Sequence, residues 1–127
     1  MGEPPVTVRF EPRSHLTKPH QFGRRRDASW APFEDASRAQ VAAAYLQHAV
    51  ACEVRDRLSD DGEQLADLAA RVGATRDTLL RKLTGVAPAR IEELFALVFA
   101  YGDITLMPAP GSVAELLPRD SDADLTR

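Results

Sequence analysis

The sequence predicts a mostly all-α protein, a helix-turn-helix domain of four to five helices with an extended N-terminal arm. Three observations carry this. Apolar residues recur at helical spacing from Val41 to Leu58 and from Ile91 to Tyr101. Between them, Leu65–Gly85 reads LADLAARVGATRDTLLRKLTG, the spacing of a helix, a tight turn and a second helix. Strand-like alternation is confined to two short pieces, at 6–10 (Val6-Thr7-Val8-Arg9-Phe10) and 104–107 (Ile104-Thr105-Leu106-Met107).

Taken in order, residues 1–34 are rich in Pro, Arg and His, lack helical periodicity and read as the arm. A helix is expected from Asp35 or Ser37 to about Leu58. Ser37-Arg38-Ala39-Gln40 has the form of a capping box, and Ser59-Asp60-Asp61-Gly62 closes the helix as a turn. This helix carries two apolar stripes. Ala43, Leu46, Val50, Val54 and Leu58 should face the helices that follow, and Val41, Tyr45, Ala49 and Cys52 lie on another face.

The next pair of helices is expected over Glu63–Val72 and Arg76–Leu83. The turn between them needs a small residue where the backbones approach, supplied by Ala69, and a residue at φ > 0, supplied by Gly73. Thr75 restarts the helix as an N-cap. A last helix should begin at Pro88, whose fixed φ suits a first turn, and end at Tyr101-Gly102, with Glu92 and Glu93 favourable near its positive end. It is apolar nearly all round (Ile91, Leu94, Phe95, Leu97, Val98, Phe99, Tyr101), so something must cover it. Two covers are open: the N-terminal segment, with Trp30 or Phe33 lying on this helix, or a second protomer. The chain thus divides into an arm at 1–34, a helix-turn-helix domain at 35–107 and an acidic, largely flexible tail at 108–127.

The 127 residues fit one core, and the net charge of −3 argues against an indiscriminate nucleic-acid coat. The distribution is more telling. Residues 1–30 carry six Arg/Lys against three Asp/Glu, and residues 62–90 five against three; the remainder of the chain is acidic. Positive charge therefore sits on the arm and on the helix-turn-helix, and a field confined to one face is sufficient for groove binding. A lone Cys52 suits a reducing compartment. The longest apolar run, Leu94–Tyr101, is far too short to span a bilayer, and no signal-peptide pattern opens the chain. The expectation is a cytoplasmic, nucleoid-associated protein without a membrane partner.

With these elements in place, residues 40–103 resemble the phage-repressor-like (Xre/Cro-type) helix-turn-helix superfamily. Leu68-Ala69-Ala70-Arg71-Val72-Gly73-Ala74-Thr75-Arg76 is similar to that family's turn, and Thr78-Leu79-Leu80-Arg81-Lys82-Leu83-Thr84-Gly85 to its recognition helix. Ile91–Gly102 is similar to its succeeding helix. Leu65 and Lys82 depart from the wider pattern, in which a Gln and an apolar residue are frequent. The resemblance implies a transcriptional regulator, or a phage- or plasmid-type control protein, reading the major groove of double-stranded DNA as a homodimer.

Carried over position by position, it places Thr75, Arg76, Asp77, Leu80, Arg81 and Thr84 outward, with Thr78 and Lys82 among the contacts, and Leu79 and Leu83 inward. Arg76 or Arg81 would pair with guanine, Asp77 with cytosine N4 or, more simply, with the helix dipole, and Leu80 with a thymine methyl. Arg24-Arg25-Arg26 reads either as an arm on phosphates or a minor groove, or as a solvated linker.

Other chemistries find less support. His48 and Cys52 share a helical face, with His15 and His20 upstream, but no C-x-x-C pair accompanies them, so no metal is expected. No P-loop, G-x-S-x-G, H-E-x-x-H or G-x-G-x-x-G occurs, so neither a cofactor nor catalysis is expected. The rival reading is a helical protein–protein interaction module, a toxin- or polymerase-binding adaptor presenting helix 88–101 without direct DNA readout.

Overall fold

A computed structural model describes residues 10–101. The fold is all-α: α1 (Arg38–Asp61), α2 (Leu65–Arg71), α3 (Arg76–Leu83) and α4 (Ile91–Tyr101). Among the described residues the β-pairing is limited to an isolated antiparallel bridge between Leu16 and Trp30. The strand-like pieces at 6–10 and 104–107, Phe10 excepted, and the tail at 108–127 lie outside the described residues.

α1 is the axle. Val50 and Val54 are fully buried against Leu68, Ala69, Leu79, Leu94 and Leu97 from the other three helices. Leu46 and Leu58 complete the expected stripe at the margin, whereas Ala43 is exposed. Gly62, at φ 65°, ends the helix by donating to the Leu58 and Ser59 carbonyls. At the other end the expected capping box does not form. Ser37 is already in the helical region and its side chain makes no cap bond; a 3-10 turn, Asp35–Ser37, leads in instead, with Arg38 paired to Asp35.

The second face of α1 is covered by the N-terminal segment. Residues 10–34 form a strap with 3-10 turns at Pro12–His15 and Pro19–Gln21, burying Leu16, Phe22 and Ala28 against Ala51. Trp30 packs on Tyr45 (ring centroids 5.3 Å) and edge-on to His48 (5.8 Å). Trp30 thus lies on α1 and not on the last helix, and Phe33 stays exposed. Of the two covers that the sequence leaves open, the strap serves α1; on α4, Ile91, Phe95 and Phe99 are exposed by 54%, 40% and 76%.

α4 also starts later than the sequence suggests, at Ile91 and not at Pro88. The cause lies in α1. The Gln47 side chain donates to the Ala87 carbonyl (2.9 Å) and accepts from the Ala89 N–H (2.8 Å), holding Pro88 in an open loop. The residue before a proline already avoids the α region. Glu93 then accepts from the Arg90 N–H at 2.8 Å, satisfying a first-turn donor.

Candidate nucleic-acid interface

The α2–α3 unit forms from local chemistry that the sequence states outright. Gly73 sits at φ 73°, and the Ala74 N–H reaches back to the Ala69 carbonyl at 2.9 Å. Thr75 adopts an extended conformation, and its hydroxyl accepts from the Thr78 N–H at 3.2 Å. That bond removes one orphan donor of the new helix. Leu68, Ala69 and Leu79 close the inner side. α3 then spans the expected residues, Arg76–Leu83.

Its outer face carries Thr75, Arg76, Asp77, Thr78, Leu80 and Arg81, all exposed. Arg76 lies 3.7 Å from Asp77, a contact between exposed groups worth little. The Thr78 hydroxyl receives the Thr75 proton at 2.8 Å, and the half-buried Thr84 turns its hydroxyl back to the Leu80 carbonyl at 2.8 Å. Leu80 is 37% exposed, an apolar group held in a polar rim.

Lys82 departs from the expected contacts. It lies three residues after Leu79, on the inner side, where its ammonium is paired with Glu93 of α4. Burial, and then the Arg90 charge, lowers its pKa. Its charge is spent inside the fold, and it is not presented with the outer face.

The three arginines of the strap separate. Arg26 is held by Glu53 and by Asp56 (2.7 Å) of α1, which raises its pKa. Arg25 pairs with Asp27 at 3.3 Å in solvent, and the exposed Arg24 has no side-chain partner among the described residues. The tripeptide follows directly on a contact with α3. Gly23 (φ 71°) is so close to its end that a Cβ would stand 2.2 Å from the Leu83 carbonyl oxygen. Farther along the strap, the Arg13 N–H donates to the Gly85 carbonyl at 3.1 Å. Gly85 (φ 77°) in turn lies against Phe22, where a Cβ would come within 2.7 Å of the ring.

Two buried polar residues of α1 hold this arrangement. Gln47, 4% exposed, donates to the Lys82 carbonyl at 2.7 Å as well as to the 87–89 loop, so one amide fixes both the end of α3 and the approach to α4. His48, 3% exposed, accepts at Nδ1 from the Gly23 N–H (2.9 Å) and donates from Nε2 to the Arg25 carbonyl (2.8 Å). The backbone partners therefore fix the neutral Nε2–H tautomer. Cys52 lies 3.7 Å from that ring, and burial pushes its thiol up to about 11, so it stays protonated at neutral pH. No group of three or more His, Cys, Asp or Glu side chains suited to a metal occurs among the described residues. Likewise, no described helix is long and apolar enough to cross a membrane.

Comparison with known proteins adds no neighbour: no family model, curated protein or solved structure matches the chain.

Proposed function

We propose that this protein is a sequence-specific DNA-binding protein of the Xre/Cro-type, a transcriptional regulator that reads the major groove with α3. It is a binder and not an enzyme, and works in the cytoplasm at the nucleoid. The observation that carries the reading is the division of α3 into two faces. Leu79 is locked onto the core, while Arg76, Leu80 and Arg81 stand outward behind a glycine turn and a threonine cap. Arginine forks suit guanine O6/N7, and Leu80 suits a thymine methyl. Arg24 and Arg25, beside the end of α3, supply phosphate contacts that set register.

Arg76→Ala and Arg81→Ala should each weaken specific binding by about 1–3 kcal/mol, with the helical circular dichroism unchanged. Affinity for random duplex should fall steeply as salt rises. Unchanged specific affinity in both variants would remove α3 as the reader.

A second reading is favoured by α4. Ile91, Phe95 and Phe99 fall at i, i+4 and i+8 and form an exposed apolar stripe. Under the DNA reading this stripe pairs two protomers; under the rival it docks a different protein and no duplex is bound. Phe99→Glu should then leave the helices intact. If the stripe is the homodimer seam, sedimentation at micromolar concentration should shift from dimer to monomer and operator affinity should drop. A wild-type monomer under these conditions would count against the homodimer.

A further inference from the structure

We infer that His48 is a proton-operated latch: protonation of its ring unfastens the strap at 10–34 from α1 and from the end of α3, while the helical bundle stays folded. This does not rest on what α3 binds. The ring is enclosed by Phe22 (5.2 Å) and Trp30 (5.8 Å) edge-on, and bridges two backbone groups of the strap, the Gly23 N–H and the Arg25 carbonyl. Only the neutral ring serves both. An imidazolium carries a proton on Nδ1, which faces the Gly23 N–H donor to donor and loses that bond.

The surroundings give the charged ring little compensation. From the strap it is faced by the Arg26 guanidinium, whose own charge is engaged by Glu53 and Asp56 of α1. From α1 itself it is faced by the protonated Cys52 thiol, and Tyr45 of α1 packs on the same Trp30 that touches the ring. The strap end of α3 contributes the Leu83 backbone and no charge at this point. Burial, opposed in part by the Arg25 carbonyl and aided by Arg26, accordingly lowers the ring's pKa from 6.5.

The opening is local because of how the two clusters are built. Leu16, Phe22 and Ala28 pack on Ala51, with Trp30 and Leu83 at the margin, whereas the bundle core of Val50, Val54, Leu68, Leu79, Leu94 and Leu97 includes no strap residue. Releasing the strap therefore leaves that core in place and frees Gly85 from its bond to Arg13.

The sign follows from linkage. The open state has the unperturbed ring and binds more protons than the closed state, so closure is fully favoured above pH 6.5 and weakens as pH falls toward the lowered value.

Amide hydrogen exchange on the full chain tests this. The amides of Gly23, Arg13 and Ala31, which donate to His48, Gly85 and His15, should exchange faster by up to about tenfold per pH unit below 6.5 after correction for intrinsic chemistry, while those of Val50 and Val54 keep their protection. The ring titration of His48, followed by NMR in the same samples, should fall below 6.5, at the pH where the acceleration levels off. His48→Gln, which retains an amide donor and acceptor without a titrating proton, should abolish the pH slope. His15, within the strap and also lowered by burial, is the other candidate proton site, and His15→Gln should leave the slope in place. The latch is overturned if the wild-type slope is absent, if it persists in His48→Gln or vanishes in His15→Gln, if it continues well below the pH at which the ring titrates, or if Val50 and Val54 lose protection in step with the strap.

Discussion

Gln47→Leu is expected to cost roughly 3 kcal/mol or more, although the substitution adds apolar bulk to a helix in the core. The wild-type amide satisfies the Lys82 and Ala87 carbonyls and the Ala89 N–H, and a leucine leaves all three part-buried groups without that partner. Each unsatisfied buried group costs about 1–3 kcal/mol. For a domain of this size the loss lowers Tm by more than about 10 °C. Gln47→Glu should fare no better, since its carboxylate repels the two carbonyls while accepting only from Ala89. Urea melts at neutral pH, read by circular dichroism, check both variants. A Gln47→Leu protein as stable as wild type would show that this amide does not hold the α3–α4 connection.

Gly23→Ala should have the second largest effect, and the same change at Gly73 separates its causes. Both glycines are left-handed, at φ 71° and 73°. At Gly73 a Cβ meets nothing within 4 Å, so alanine there costs only the backbone preference of about 1–2 kcal/mol. At Gly23 the Cβ would stand 2.2 Å from the Leu83 carbonyl oxygen and 3.0 Å from the Ala51 Cβ, against backbone that cannot swing away. Overpacking of this kind adds about 1–3 kcal/mol. The strap should therefore detach in Gly23→Ala, with trypsin cutting at Arg24 and Arg25 far faster than in Gly73→Ala. Equal stability and equal cleavage in the two variants would mean that the strap does not bear on α3.

What the sequence discloses about this fold depends on the range of the interaction that decides each element. α3 has the expected bounds because Gly73 and Thr75, its immediate neighbours, determine where it starts. The start of α4 differs from the expected Pro88 because a side chain from α1, some forty residues earlier, takes the Ala87 carbonyl and the Ala89 N–H on either side of that proline. Ser37 failed as a cap for a local reason, a helical ψ that points its hydroxyl away from the amides.

The outward residues of α3 follow from helical geometry alone, and so does the misplacement of Lys82, which shares an edge with Leu79 at i+3. Gln47 and His48 do carry a signal, two adjacent polar residues inside an otherwise apolar run of a long helix. Their partners are backbone groups, and backbone partners leave no trace in residue identity.

The pairing of Gly23 with the end of α3 also sets a timetable for synthesis. The strap is made before its seat, which includes Leu83 and Gly85, so it cannot settle until the chain has grown some sixty residues further. At about 5–20 residues per second the strap waits for roughly 3–12 s with Phe22 and Leu16 uncovered. In that interval the nascent chain presents an apolar, arginine-rich segment to whatever binds it. The strap is thus seated only by residues made after it, and a ribosome stalled before Gly85 would display it unseated.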